Sequence, residues 1–217
     1  MRSPWAIVCD FDGTALSLDL GDRVAWHFAG EAAYQAAEDA YLTGRCTFGE
    51  LLAKVFAPIT ASREEIAAFA RRTAVLRPGF ERFVEACRAG GAPFYIVSSG
   101  LDAYIEPVIG DLRPALRDHI AIRANRAITS PEGLEVEFDG TDCGFCGFCK
   151  GHVVEDLKAS GHRVVLLGDG TGDRHAADVA DHVFARAGSS LVRYCAEKGL
   201  RHDVFETFDE VIERWPA

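Results

Sequence analysis

The stretch IVCDFDGTAL, residues 7–16, decides the fold. The apolar run Ile7-Val8-Cys9 passes straight into Asp10, a hydrophobic Phe11, Asp12 and then Gly13-Thr14. A continuous apolar strand is covered on both faces, the habit of a parallel sheet, and the two carboxylates mark the end at which it reaches water. If strand geometry persists, Asp10 and Asp12 share a face because side chains alternate, and Phe11 turns back into the core. One carboxylate can then act as a nucleophile while its neighbour trades protons with a leaving group. Taken alone, the pair also reads as two turn acids.

The same pattern recurs downstream. PFYIVSS (93–99) and RVVLLGDG (163–170) are apolar runs of strand length that end in hydroxyl, acidic or glycine residues, each followed by a helix-like segment. This alternation predicts an α/β fold, a Rossmann-like parallel sheet with helices on both faces and function gathered at the carboxyl ends of the strands. Residues 15–76 differ. They are alanine-rich, without a convincing strand, and carry helical spacing in GEAAYQAAEDAYL, FGELLAKVF and REEIAAFARRTAVL. The expected organisation is therefore a core of residues 1–14 and 77–217 with a helical cap inserted at 15–76. Pro78 suits the first turn of a helix running to Gly90-Gly91. Residues 117–139 read as a short strand followed by a hairpin turning at Pro131-Glu132-Gly133. Further helices are expected near 151–160, 173–180, 189–198 and 207–214.

The other strand ends supply complementary chemistry. Ser98-Ser99-Gly100 precedes a helix expected near Leu101, so hydroxyls and free backbone N–H groups would meet a phosphate oxygen there. Lys150 precedes another helix. Asp169, within Gly168-Asp169-Gly170, and Asp173 beyond it add two acids, and a set of hard oxygen donors suits Mg²⁺.

Composition narrows the function. A chain of 217 residues that is 48% hydrophobic can bury a large core, and its net charge of −10 disfavours nucleic acid and acidic membrane surfaces. No run approaches the ~20 apolar residues of a membrane span, and the N-terminus meets its first acid too early for a secretory signal. The seven cysteines do not resemble the framework of a small secreted scaffold. A cytoplasmic protein with reduced thiols is expected.

The order DxDGT, Ser, Lys, GDGxxxD at successive strand ends resembles the haloacid dehalogenase superfamily of aspartate-nucleophile phosphotransferases over nearly the whole chain. The resemblance implies that Asp10 takes up the phosphoryl group and Asp12 is the general acid and base. It further implies that Ser98, Ser99 and Lys150 hold the phosphate. Mg²⁺ would be bound by Asp10, Asp169 and the Asp12 main-chain carbonyl, with Asp173 supporting the metal shell. An acid at position 12 favours phosphatase or phosphomutase chemistry. An insertion directly after the first motif is similar to the helical cap of the phosphoserine phosphatase-like branch. Where that branch grips an amino acid with a glutamate and an arginine, this chain has Asp19 and Val55, which weakens phosphoserine as the substrate.

Within the branch, CDFDGT, RPGFERFV, PFYIVSSGLDAYIEPVI and a cysteine-rich run before the lysine are most similar to the methionine-salvage phosphatases of 2-hydroxy-3-keto-5-methylthiopentenyl 1-phosphate. Phosphocholine and phosphoethanolamine phosphatases share the cysteine feature. Phosphoserine, phosphocholine, transfer to an alcohol and non-enzymatic phospho-ligand binding remain alternatives. The partners expected are a small phosphorylated metabolite and, as one option, a second copy of the chain.

TDCGFCGFCKGH spaces Cys143, Cys146, Cys149 and His152 three apart. Three thiolates and an imidazole suit Zn²⁺, but zinc sites more often use two separated knuckles, so reduced thiols or a disulfide are the favoured reading. His27, His175 and His182 lack ligand partners at useful spacing and read as surface or packing residues. Tyr34, Tyr41, Phe48, Phe56 and Phe69 read mostly as core, with one or two lining a substrate pocket. Arg45 is the cap cation to test for substrate contact, although a solvated loop arginine is the plainer reading.

Overall fold

The computed structural model describes residues 5–140 and 143–214. The first strand, β1 (Trp5–Cys9), is buried at every position. A wide turn over Phe11–Ala15 leads into four helices, α1 (Leu20–Phe28), α2 (Glu31–Leu42), α3 (Phe48–Phe56) and α4 (Arg63–Thr73). Their starts are written in the sequence. Thr47 and Ser62 each accept a hydrogen bond from the backbone N–H three residues on, and Glu50 and Glu65 answer with their carboxylates, closing two capping boxes. A single bridge between Leu16 and Leu76 ties the entry of this helical segment to its exit.

The chain then alternates. Helix α5 (Phe80–Gly90) ends at Gly91 in the left-handed region and gives way to β2 (Phe94–Leu101), α6 (Asp102–Gly110) and the short α7 (Pro114–Arg117). Next come β3 (Ile120–Ser130), β4 (Gly133–Glu137), α8 (Lys150–Ala159), β5 (Arg163–Gly168), α9 (Arg174–Val179), β6 (His182–Arg186), α10 (Ser190–Lys198), β7 (His202–Phe205) and α11 (Phe208–Arg214). The seven strands form one sheet in the order β4-β3-β2-β1-β5-β6-β7, parallel throughout except for β3 and β4. The expected α/β architecture is thus the observed one.

Central placement explains why β1 is apolar on both sides. Val8 joins Val97 and Leu166 against Val154, Ala177 and Leu191 of α8, α9 and α10. Ile7 and Cys9 face the other way, with Phe94, Val165 and Leu167, toward Phe80 and Phe83 of α5 and Phe208 of α11. Burying a side chain of this size contributes about 1.5–3 kcal/mol, so both faces favour one register. That register pairs Cys9 with Ile96 and Leu167, which sets the carboxyl ends of β1, β2 and β5 side by side.

Three local expectations need correction. The short strand and the first arm of the hairpin are one continuous strand, β3, whose first half pairs parallel with β2 and whose second half pairs antiparallel with β4 across the turn expected at residues 131–133. Strands β6 and β7 escape a reading by apolar runs because they are short and carry His182, Arg186, His202 and Asp203. Pro78 lies ahead of α5, with Gly79 at φ 84° between them; a Cβ at Gly79 would fall 2.7 Å from the Asp209 backbone nitrogen. No helix among the described residues is long and apolar enough to cross a membrane.

Candidate active site

The loop after β1 is fixed before any side-chain chemistry begins. Asp10 N–H donates to Leu167 O at 2.9 Å, the last sheet-like bond. The chain then winds through one wide turn in which Ala15 N–H reaches Asp10 O and Leu16 N–H reaches Phe11 O. Strand geometry therefore stops at Cys9. Asp10 and Asp12 come together because both keep extended φ/ψ on either side of the buried Phe11, and the turn supplies the rest. Gly13 sits at φ 69°, and a Cβ there would lie 2.6 Å from an Asp169 carboxylate oxygen. Only glycine fits. Arg77, read in the sequence only as the restart of the core, clamps the turn by donating to the carbonyls of Gly13, Thr14 and Leu16 at 2.7–3.1 Å.

Asp12 is held on both oxygens. Oδ1 accepts from the N–H groups of Leu20 and Gly21, the first residues of α1, and Oδ2 accepts from the Tyr104 hydroxyl at 2.8 Å. Burial outweighs these bonds and pushes its carboxyl up to about 6. Tyr104 had no signal in the sequence beyond its place in the helix after Ser98-Ser99-Gly100.

At the end of β2, Ser98 Oγ accepts from Gly100 N–H at 3.0 Å. Ser99 Oγ is buried and has no hydrogen-bond partner among the described residues. Its backbone carbonyl accepts from Asn125 Nδ2 at 2.7 Å, so the loop is fixed while the hydroxyl stays available. A buried hydroxyl left unpaired is costly and points to an absent partner.

Lys150 opens α8, and its ammonium lies 2.5 Å from Asp10 Oδ1 and 2.7 Å from Asp173 Oδ1. Asp173 is fully buried, and its other oxygen accepts the backbone N–H groups of Asp169 and Gly170, both at 2.9 Å. Asp173 thus shapes the loop after β5 and orients Lys150 at once. Asp169 accepts the Thr14 hydroxyl at 3.2 Å, with Arg186 at 3.7 Å from its second oxygen.

One lysine faces three acids. Burial and the Asp173 carboxylate push Asp10 upward, only partly opposed by Lys150, and burial and Asp173 push Asp169 upward too. Oxygens of Asp10, Asp169 and Asp173 lie within 4.8 Å of one another. A set of hard oxygen donors with uncompensated negative charge fits Mg²⁺.

These groups form the floor of a cavity of about 300 Å³. Its roof is Tyr34, Tyr41, Phe48, Leu51, Leu52, Val55 and Phe56, with Asp19 and Asp22 at the side. Of the five aromatics read mostly as core with one or two at a pocket, four line the cavity: Tyr34, Tyr41, Phe48 and Phe56. Phe69 instead stacks on His27 at 4.3 Å. Arg45 is exposed, donates to Thr43, and borders a separate outer groove. Lys150 is the one cation lining the cavity among the described residues. His182 packs edge-on to Phe184 as expected. His175 does not fit the surface reading: its Nδ1 is 2.9 Å from Cys149 Sγ, a neighbour that sequence spacing could not reveal.

A parallel sheet that brings acids, hydroxyls and one buried lysine to adjoining strand ends has the form of a phosphoryl-transfer enzyme. The family model for haloacid dehalogenase-like hydrolases matches residues 7–178, and the chain belongs to that family, in its phosphatase branch. It is 30% identical over 212 residues to a 2-hydroxy-3-keto-5-methylthiopentenyl-1-phosphate phosphatase of Exiguobacterium sibiricum, covering 95% of this chain and 94% of that one. A protein of the same name from Geobacillus kaustophilus is 34% identical, covering 98% and 96%. The bifunctional enzyme MtnB/MtnX of Bacillus licheniformis is 33% identical over 97% of this chain, which spans 49% of that longer protein. Among solved structures, a substrate-bound phosphoserine phosphatase complex superposes with a TM-score of 0.75 at 19% identity, covering 99% of both chains. A phospho-aspartyl intermediate analogue of phosphoserine phosphatase gives 0.74 at 18% identity, also covering 99% of both chains. At these identities the two structures establish the shared fold.

Proposed function

We propose that the protein is a Mg²⁺-dependent phosphomonoesterase that works through an aspartyl-phosphate on Asp10. The observation that carries this reading is the buried Lys150 ammonium shared by Asp10 and Asp173 beside the unpartnered Ser99 hydroxyl. An Asp10 oxygen attacks phosphorus, the ester P–O bond breaks, and Asp12 gives its proton to the leaving oxygen. Asp12 then takes a proton from water as that water attacks phosphorus and frees Asp10. A carboxyl pushed up to about 6 suits a group that must both give and take a proton near neutrality. Lys150, Ser98 and Ser99 would hold the phosphoryl oxygens. Asp10, Asp169 and the Asp12 carbonyl would hold Mg²⁺, which when bound offsets charge on the transferring group. Asp173 would keep Lys150 and the Asp169 loop in place.

Residues 15–76 act as the cap in this reading, and their roof selects the leaving group. Leu51, Leu52, Val55 and Phe56 offer apolar contact and no cation for a substrate carboxylate. Asp19 and Asp22 flank this roof at the side, and Asp22 accepts the Tyr34 hydroxyl at 2.7 Å. An uncharged, partly apolar leaving group fits best. The relatives named for 2-hydroxy-3-keto-5-methylthiopentenyl-1-phosphate support that compound as the substrate. The seven free cysteines support a reducing, cytoplasmic setting.

The test is a panel containing this phosphate, phosphoserine, phosphocholine and an aryl phosphate, assayed with Mg²⁺ and with EDTA. The methylthio compound should give the highest kcat/KM, and EDTA should abolish every turnover. Preference for phosphoserine would overturn the substrate, and binding without turnover of any compound would overturn the enzyme.

A further inference from the structure

The residues between β4 and α8 hold a second constellation that phosphoryl transfer does not use. Cys143, Cys146 and Cys149 present sulfurs within 4.8 Å of one another, and Cys149, His152 and His175 form a second triad at the same spacing, sharing Cys149. The knuckle turns through Gly144 at φ 79° and Gly147 at φ 71°, which brings thiols three residues apart onto one side of the chain. The fourth donor comes from a distant helix. His175 lies on α9, and its ring fits against α8 because position 151 is glycine; a Cβ there would fall 2.5 Å from the imidazole. Zinc–sulfur bonds of about 2.3 Å put tetrahedral sulfurs about 3.8 Å apart, inside the 4.8 Å within which the three thiols lie.

We propose that Cys143, Cys146, Cys149 and His175 bind a structural Zn²⁺. Four protein donors make a closed, non-catalytic site. The imidazole is supplied by another helix, so the four donors come from two separated parts of the chain. Location gives the ion a purpose. Cys149 immediately precedes Lys150, and His175 follows Asp173 by two residues, so the metal would pin the backbone on both sides of the buried Lys150–Asp173 pair. The same knuckle meets the helical segment: Phe145 O accepts from Gly49 N–H at 2.9 Å, and the Phe145 ring stacks on Phe48, a roof residue of the cavity. Zinc would therefore set the position of the phosphate-binding lysine and one edge of the roof together.

Metal analysis of full-length protein purified without chelators or metal-affinity resin tests the site without reference to phosphatase activity. About one zinc per chain is expected, and protein loaded with Co²⁺ instead should show thiolate-to-cobalt charge-transfer absorption. His175→Ala should weaken metal retention against a competing chelator by at least about tenfold, while His152→Ala and the outlying His162→Ala keep it. Wild-type protein without zinc and without the cobalt band would overturn the proposal, as would a disulfide among the three cysteines in protein isolated under nitrogen. Loss of metal in His152→Ala with retention in His175→Ala would overturn the assignment of the fourth ligand. The wild-type measurements decide the matter even where a variant fails to fold.

Discussion

The floor of the cavity and its roof are built on opposite principles. On the floor nearly every polar atom is already committed: Asp173 alone accepts Lys150 and two backbone N–H groups, and Asp12 accepts three donors. The roof is aromatic and aliphatic, supplied by α2 and α3, and its contacts with a ligand are not determined by hydrogen bonds. A floor of this kind tolerates little, since a reacting phosphoryl group needs charge and geometry fixed beforehand. A roof can change its side chains and so its substrate without touching the chemistry. Substitutions should therefore divide into those that stop turnover and those that redirect it.

The largest effect falls on the floor. Asp10→Asn should lower kcat on the order of 10⁴-fold or more, measured on the aryl phosphate, because it removes the proposed nucleophile. Lys150→Ala should follow at about 10³-fold, and it also leaves Asp10 and Asp173 facing each other unscreened. The roof gives the contrasting outcome. Val55→Arg should leave aryl phosphate kcat within about threefold while raising kcat/KM for phosphoserine relative to the methylthio substrate on the order of tenfold to 100-fold. If Val55→Arg stopped all turnover, the division between the two regions would fail. Tyr104→Phe removes one donor from Asp12 and should cost about tenfold in kcat with little change in KM, since Asp12 keeps its two backbone donors.

The smallest effect is on stability. The folded state holds the Asp12 carboxyl at about 6, while the unfolded chain releases that proton near the ordinary value of about 4. Between those values the folded state binds more protons than the unfolded one, so this group's contribution falls as pH rises through that window and is lost above it. Asp12→Asn removes the ionisation. The melting temperature of the variant relative to wild type should be higher at pH 8 than at pH 4. A difference independent of pH would show that Asp12 ionises in the folded protein as it does in the unfolded chain.

The two regions also differ in how far the sequence reveals them. Asp10, Asp12, Ser98, Lys150, Asp169 and Asp173 could be found because they interrupt apolar strands or open helices, and strand ends converge by topology. Tyr104, Thr14, Arg77 and Arg186 leave no such mark. Each acts across a loop crossing whose geometry exists only after folding, as with Arg77 reaching three carbonyls at residues 13–16. The helices of residues 15–76 were legible from periodicity and capping boxes, yet which aromatic faces the cavity was not: Phe48 lines it and Phe69 does not, although both lie on amphipathic helices. Strand β3 is hidden for the same reason. Its two halves pair in different senses, so the change in pattern along the sequence marks a change of partner within one strand.

The proposed nucleophile is tested most directly by acid-quenching the enzyme during turnover of a phosphate-labelled substrate and locating the label by peptide mass spectrometry. A phosphorylated peptide carrying Asp10, absent from Asp10→Asn, is the predicted result. Label on any other residue, or steady turnover with no labelled protein at any quench time and full activity in Asp10→Asn, would contradict it.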